Sequence, residues 1–314
     1  MAISASLLIP SLRGGRRLLE TSSALVAAGV EVIVADNGLP GPVAARLRAA
    51  GVVVADMGMN RGFGGAVNRA AKASTGEVLV VSNDDVLIDP RFLARLCVPF
   101  SHGAGVVAGV LLEEGRPHVI ESAGIEVDAA LSPYDYLQGQ PVARLEMPPP
   151  PPLGPCGGAA AYARDAFLAV GGFDEGFFAY GEDVDLALRL RRLGASCALA
   201  ADARALHATS STLGYESLAK ATLVGYSRGY LLRKYGILTS PPSAARAVTI
   251  EAAVSLVLLS RHGSLQPLAA RVRGWRNCRA RAPRPPRSVA TVGLVDGLRR
   301  RYARSNRASG YERR

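Results

Sequence analysis

Cysteine is scarce in this chain of 314 residues, and the four present, Cys97, Cys156, Cys197 and Cys278, stand far apart without a C-x-x-C spacing. Neither a disulfide framework nor a thiolate zinc site is expected. Long hydrophobic runs are also missing. The most apolar late stretch, Ala252 to Leu259, is too short to cross a bilayer. The N-terminus runs straight into Ser6-Leu7-Leu8-Ile9-Pro10, without the basic segment and apolar stretch of a secretory signal, so a cytoplasmic location is the expectation. Lysine occurs only at positions 72, 220 and 234, with arginine supplying the other thirty-four cationic side chains. That bias carries no chemistry of its own.

What is present is enough apolar content, 49% of residues, to bury a substantial core. The net charge of +11 is misleading as a property of the whole. Residues 271–314 hold fourteen arginines against Asp296 and Glu312, so the basicity belongs to the tail and the remainder is close to neutral. A basic tail invites a nucleic-acid reading. No aromatic-interleaved binding motif accompanies it, and no nucleic-acid partner is expected.

Four short β-rich runs mark the first third: Ser6 to Ile9, Val30 to Ala35, Val52 to Ala55 and Val78 to Ser82. Helical stretches such as Arg16 to Ala28 and Val43 to Ala50 lie between them, which predicts parallel βαβ units and an α/β fold. A further strand is expected at Val106 to Leu111. Five prolines, Pro148 to Pro152, mark a surface connector. From about Tyr215 the pattern turns mainly helical, and beyond Pro283 it is Arg, Pro and Ser rich and expected to be poorly ordered. The expected division is therefore a catalytic α/β domain over 1–214, a helical region over 215–282 and a basic tail over 283–314.

In parallel sheets of this kind ligands bind at the carboxyl ends of strands. That rule points to Pro10-Ser11, Asp36-Asn37 and Asn83-Asp84-Asp85. Asp36 opens a turn and can either cap it or reach a ligand. Adjacent acids after a very apolar strand repel one another unless a cation or polyol partners them, and oxygen ligands of this type suit Mg²⁺ or Mn²⁺. Gly62 and Gly64 of Asn60-Arg61-Gly62-Phe63-Gly64-Gly65-Ala66-Val67-Asn68 imitate a dinucleotide fingerprint, but its third glycine is replaced by Val67. The densest signal is Gly171-Gly172-Phe173-Asp174-Glu175-Gly176-Phe177-Phe178-Ala179-Tyr180-Gly181-Glu182-Asp183-Val184-Asp185. Acids in a first helical turn are ordinary, but the glycines and phenylalanines around these exceed what a helix cap requires.

Taken in order and spacing, Asp36-Asn37-Gly38, the Asn60 to Asn68 run, Ser82-Asn83-Asp84-Asp85-Val86 and the Gly171 to Leu186 segment resemble the family 2 inverting glycosyltransferases of GT-A fold. The likeness is strongest to the rhamnosyltransferase-like branch and covers about residues 5–235. It implies a Rossmann-like, mostly parallel sheet flanked by helices with a helical, basic C-terminal extension. It further implies a nucleoside-diphosphate sugar donor, with dTDP-rhamnose the leading candidate, and a hydroxyl acceptor in a cell-surface glycan, glycolipid or natural product. By the same resemblance Asp36 would bind the nucleobase and Asp84 the ribose, with Pro10, Asn60, Gly62 and Asn83 completing the nucleotide site. Asp85 and His207 would hold Mn²⁺ or Mg²⁺. Asp183, beside Glu182, would be the general base, with Asp174, Glu175, Gly157 and Gly158 on the acceptor side.

These roles agree with the chemistry required. Inverting sugar transfer needs one carboxylate to take the acceptor's proton and a cation to stabilise the departing diphosphate, and one carboxylate cannot do both. The chain has both clusters. It departs from the family in carrying Pro10-Ser11-Leu12 where members usually carry a Thr-Tyr-Asn-type triplet, and in having Asn83 as the first residue of the metal motif. Two alternatives stay open at this level. Arg13-Gly14-Gly15-Arg16-Arg17 after the first strand fits a sugar-phosphate nucleotidyltransferase, and a non-catalytic nucleotide-sugar-binding protein would keep the same fold.

Ser227 to Gly236 resembles the basic, aromatic helix that follows the catalytic domain in such transferases. Residues 244–275 mix Val, Ile and Leu with Arg246, Arg261, Arg271, Arg273 and Trp275, as an interfacial helix would. A lipid-linked acceptor and peripheral contact with the inner face of the plasma membrane are the expectations that follow; a solvated arginine face on an ordinary packing helix is the plain reading beside them.

Overall fold

A strand covered on both faces must be apolar at every position, and Val78–Val81 meets that demand, each residue being at most 2% exposed. The computed structural model describes residues 3–208 and 217–300. The first third alternates as predicted: β1 (Ala5–Ser11), α1 (Arg16–Ala27), β2 (Glu31–Asp36), α2 (Gly41–Ala49), β3 (Val53–Asp56), α3 (Gly62–Ala73) and β4 (Val78–Val81). Then follow β5 (Val86–Leu87), α4 (Pro90–Cys97), β6 (Val106–Glu113), β7 (Arg116–Ser122), β8 (Ile125–Asp128), β9 (Pro133–Asp135), β10 (Ala160–Ala163), α5 (Arg164–Ala169), α6 (Glu182–Arg192) and β11 (Cys197–His207). The C-terminal part supplies α7 (Leu218–Lys234), α8 (Pro241–His262), α9 (Gln266–Asn277) and β12 (Ala290–Val292).

Two units emerge. The first comprises residues 1–125, 135–178 and 182–211; the second comprises 126–134, 179–181 and 212–314. The expected boundary at 214/215 lies outside the described residues. Chain order gave no sign that two short segments of the first 200 residues group with the C-terminal part.

In the first unit the sheet runs β3-β2-β1-β4-β10-β6-β11-β5, with β7 paired to β6. β1, β2, β3 and β4 are mutually parallel, the βαβ order expected. β10 is antiparallel to both β4 and β6, so the sheet is mixed beyond that point. Its core joins Leu8, Ile33, Leu79 and Val81 to helix α3 and to Phe167 and Phe173. α4 starts where Asp89 caps it, accepting from the Phe92 amide at 2.7 Å with Pro90 following.

In the second unit, ion pairs tie helices to the 126–134 segment. Arg228 donates to Glu251 at 2.6 Å and to the carbonyls of Ala130 and Leu131, Arg271 pairs with Glu251 at 2.8 Å, and Arg246 with Asp128 at 3.4 Å. Ser227 to Gly236, expected as a basic, aromatic helix, lies in α7 and at its end, with part of its basic character turned inward. Arg228 and Lys234 are buried, and the groups that Arg228 meets, Glu251 and the carbonyls of Ala130 and Leu131, come from elsewhere in the chain. The tail expected to be poorly ordered from Pro283 contributes β12, parallel to β8, with Val289 and Val292 buried and Arg300 paired to Glu126. Composition missed it because so few apolar side chains anchor it. Residues 301–314 lie outside the described residues.

The run Ala252 to Leu259 also extends further than its own composition indicates. It sits inside the 22-residue helix α8, which by length and mean hydropathy is sufficient to cross a membrane. Ala244 to Ile250 extend the helix before the apolar run, and Ser260 to His262 end it after the run.

Candidate active site

The carboxyl ends of the parallel strands gather the predicted nucleotide-side residues. Ser11 and Asp36 end β1 and β2 in register. Ser11 Oγ donates to Asp84 Oδ2 at 2.5 Å and accepts from the Gly14 amide. Ser11, directly after Pro10, therefore supplies the polar contact at this strand end. Asp84 is held above its usual carboxylate range by burial and the adjacent Asp85, with the Ser11 hydrogen bond opposing. Asp36 Oδ1 accepts from the amides of Gly38 and Leu39, which makes it a turn cap; its other oxygen is not used in that cap.

The glycine run has a packing task. Gly62 has φ +72°, and a Cβ there would lie 2.0 Å from the Phe178 carbonyl oxygen, which accepts from the Phe63 amide. Asn60 Oδ1 accepts from the Gly62 amide, and Asn37, absent from the predicted set, bonds both the Arg61 amide and the Gly62 carbonyl. At the other end of the run, Asn68 bonds both backbone groups of Phe173 and donates to Glu175 Oε1 at 3.1 Å. Gly172, at φ +70°, leaves room for that amide. Phe63, Phe167 and Phe173 meet edge to face. The two motifs are thus one structure in three dimensions, the first seating the loop that leads to Glu182.

Of the two acids expected on the acceptor side, Asp174 accepts from the Gly176 amide within its turn, and Glu175 accepts from the distant Asn68 side chain. Gly157 lies against the Phe63 ring, and Gly158 lies beside Asn83 with its carbonyl accepting from Ser82. Asp185 is fully buried and paired with Arg189 at 2.7 Å.

Before α6 the backbone turns left-handed at Tyr180 and Gly181, φ +68° and +83°. Glu182 is buried, with Oε2 lacking a hydrogen-bond partner; Asp183 accepts from the Val184 amide at 2.8 Å. Burial and then the charge of Asp183 raise the pKa of Glu182. Burial also raises that of Asp183, to which Asp135 adds a further repulsive charge. Asp135 at the end of β9 was not in the predicted set.

The second cluster forms where β11 ends. His207 Nε2 lies 3.1 Å from Asp85 Oδ1, and His207 Nδ1 lies 2.9 Å from Glu121 Oε2. Burial disfavours the charged imidazole, but the hydrogen bonds to Asp85 and Glu121 outweigh it and push its pKa up to about 10. No group of three or more His, Cys, Asp or Glu side chains placed to hold a metal occurs among the described residues. A cation whose shell is filled by substrate phosphates needs only one or two carboxylate-type ligands, so Asp85 with the imidazole of His207 is a donor set that fits Mn²⁺ or Mg²⁺. Of the arginines in the Arg13 to Arg17 segment after β1, Arg16 pairs with Glu20 and Arg17 with Glu114.

An α/β sheet with acidic clusters in the loops beyond its strands is the arrangement of an enzyme that takes its ligand at the carboxyl ends of the strands. Residues 6–169 match the model of glycosyl transferase family 2, and residues 152–208 match one described as the N-terminal domain of galactosyltransferase. An N-acetylglucosaminyl-diphospho-decaprenol L-rhamnosyltransferase of Mycobacterium tuberculosis is 32% identical over 226 residues, 63% of this chain and 73% of that protein. The O-antigen biosynthesis protein RfbC of Myxococcus xanthus is 29% identical over 49% of this chain and 12% of its own length. Among solved structures, a mannosyltransferase of Pyrobaculum calidifontis, in complex with GDP-Man and Mn²⁺, superposes with a TM-score of 0.54 at 18% identity, covering 87% of this chain and 80% of that one. GalNAc-T7 with UDP, GalNAc and Mn²⁺ superposes at 0.56 and 16% identity, over 74% of this chain and 50% of that one. The chain belongs to glycosyl transferase family 2 and is a glycosyltransferase of GT-A-type fold.

Proposed function

We propose that this enzyme moves a rhamnosyl group, with inversion, from dTDP-rhamnose to a hydroxyl of a lipid-linked acceptor in cell-surface polysaccharide synthesis. The observation that carries the reading is the presence of two acidic clusters, Asp84-Asp85 with His207 and Glu182-Asp183. The name of the mycobacterial relative supports the sugar and the lipid carrier. Asp183 takes the proton of the acceptor hydroxyl as it attacks the anomeric carbon. Its raised pKa makes it a stronger base than an ordinary carboxylate. Ser11 holds the Asp84 carboxylate for the ribose, and Asp36 lies abreast of it for the base. Asp85 and His207 hold the cation, which when bound supplies charge stabilisation to the leaving diphosphate.

A thermal-shift panel of nucleotide sugars, with and without Mn²⁺, tests this directly. At a hundredfold excess over Kd a ligand stabilises by about 2.7 kcal/mol, so dTDP-rhamnose with Mn²⁺ should raise the Tm by several degrees. A larger shift with another donor replaces the sugar assignment. No shift with any donor would sink the reading.

The membrane part of the proposal rests on α8. Its charged residues before Ser260 are Arg246 and Glu251, and both are spent on inward ion pairs. The outward face is left apolar, with Val248 60% and Leu256 68% exposed. Leu256 and Leu259 line one side of a groove of about 520 Å³ and Leu265 and Leu268 the other. Contiguous exposed apolar surface of this kind marks an interaction site. No acidic residue occurs between Glu251 and Asp296, while Arg261, Arg273, Arg276 and Arg279 are exposed. An anionic bilayer surface complements both properties. In flotation with vesicles containing anionic phospholipid the wild type should rise with the lipid, and Leu256→Asp/Val257→Asp should stay behind with transfer to a soluble acceptor unchanged. Equal flotation of both proteins would remove α8 from the membrane contact.

A further inference from the structure

Glu121 belongs to none of the motifs that mark the site, yet the fold delivers it to one. Its strand β7 pairs with β6 in the register Leu111 to Ser122 and Leu112 to Ile120, so one step along β6 matches two along β7. Glu121 is the extra residue of this β-bulge. A bulge takes a side chain out of the strand's alternation and re-aims it, and bulges concentrate beside active sites. Here the carboxylate is brought to 2.9 Å from Nδ1 of His207, whose other nitrogen is 3.1 Å from Asp85. All three side chains are largely buried, so little water competes for these bonds.

We propose that Glu121 is a positioning residue for the cation site. An imidazole ligates a metal through one nitrogen only if that nitrogen is free of its proton, and the hydrogen bond at the other nitrogen decides which one is free. By accepting Nδ1–H, the Glu121 carboxylate fixes the tautomer in which Nε2, whose proton otherwise goes to Asp85, is the nitrogen that a cation would take in that proton's place. It also holds the ring plane and raises the basicity of Nε2. The inference rests on the assignment of Asp85 and His207 as the cation's ligands. It adds a residue that touches neither substrate nor cation.

The test is Mn²⁺ binding by the full chain, read from the electron paramagnetic resonance of free Mn²⁺ with thymidine diphosphate present, against a blank lacking protein. Glu121→Gln should weaken Mn²⁺ binding about 10- to 100-fold, and Glu121→Asp, which keeps the charge, should restore part of it. In a His207→Ala background, Glu121→Gln should cost nothing further, because its effect passes through the imidazole. Wild-type affinity in Glu121→Gln, or an equal loss with and without His207, would overturn the inference while leaving the cation site standing. If the wild type binds no more Mn²⁺ than the blank, the cation assignment falls and this inference with it.

Discussion

Asp183→Asn is expected to lower kcat about 10²- to 10⁴-fold, the range over which a positioned general base contributes, while the affinity for the nucleotide sugar changes by less than about twofold. The two effects separate because the amide keeps the shape of the side chain and its bond to the Val184 amide but cannot accept a proton. Steady-state kinetics together with donor titration read both quantities. An equal loss of transfer and donor binding would assign Asp183 to the nucleotide rather than to the acceptor. The same substitution should raise the Tm at neutral pH. Burial of Asp183 and Glu182 side by side opposes their ionisation, and a neutral amide removes that cost. The pH profile follows the same sign. The base must be ionised to act and its pKa is raised, so kcat/KM should fall as pH drops through a value above the ordinary carboxylate range of about 4. An acid limb at or below pH 4 would contradict it.

Asp85→Ala is expected to abolish the strengthening of donor binding by Mn²⁺, with a loss of more than about 100-fold, since removing a ligand should exceed the 10- to 100-fold cost typical of removing a ligand's hydrogen-bond partner. The residual affinity should be close to that of the wild type in EDTA, because Ser11, Asp84 and Asp36 all remain in the variant. Calorimetric titration of the donor with Mn²⁺ and with EDTA compares the four states. Unchanged binding in the variant with Mn²⁺ would remove Asp85 from the cation site. His207 is expected to follow Asp85 in this assay, since its Nε2 faces the same oxygen.

Much of the candidate site was legible in one dimension because its residues sit at ends of elements that the sequence marks plainly. The Val78 to Val81 run ends at Asn83-Asp84-Asp85, and the apolar spacing after Glu182 announces α6. The glycines at 62 and 172 were visible as signals, but their purpose was not: one makes room for the Phe178 carbonyl and the other for Asn68, each more than a hundred residues distant. The strand-end rule pointed to Pro10-Ser11 together, but only Pro10 was given to the nucleotide site, although the Ser11 hydroxyl is the group that reaches Asp84. Asp135 and Glu121 lay in a stretch without periodic pattern, and a bulge leaves no mark that can be read from one strand alone. In α8, composition showed an apolar helix with Arg246 and Glu251 in it; which way those charges turn depends on acids and arginines supplied by α7, α9 and the 126–134 segment.

The amino-acid sequence by itself determined the alternation of strands and helices and the placing of two acidic clusters after buried elements, because hydrophobic period and local turn chemistry act over a few residues. Tertiary structure alone decided that Glu121, His207 and Asp85 form one chain of hydrogen bonds, and that Arg246 and Glu251 of α8 point inward and leave its apolar face outside. Hydrogen bonds and ion pairs between distant segments depend on strand register and helix packing, which no single segment encodes.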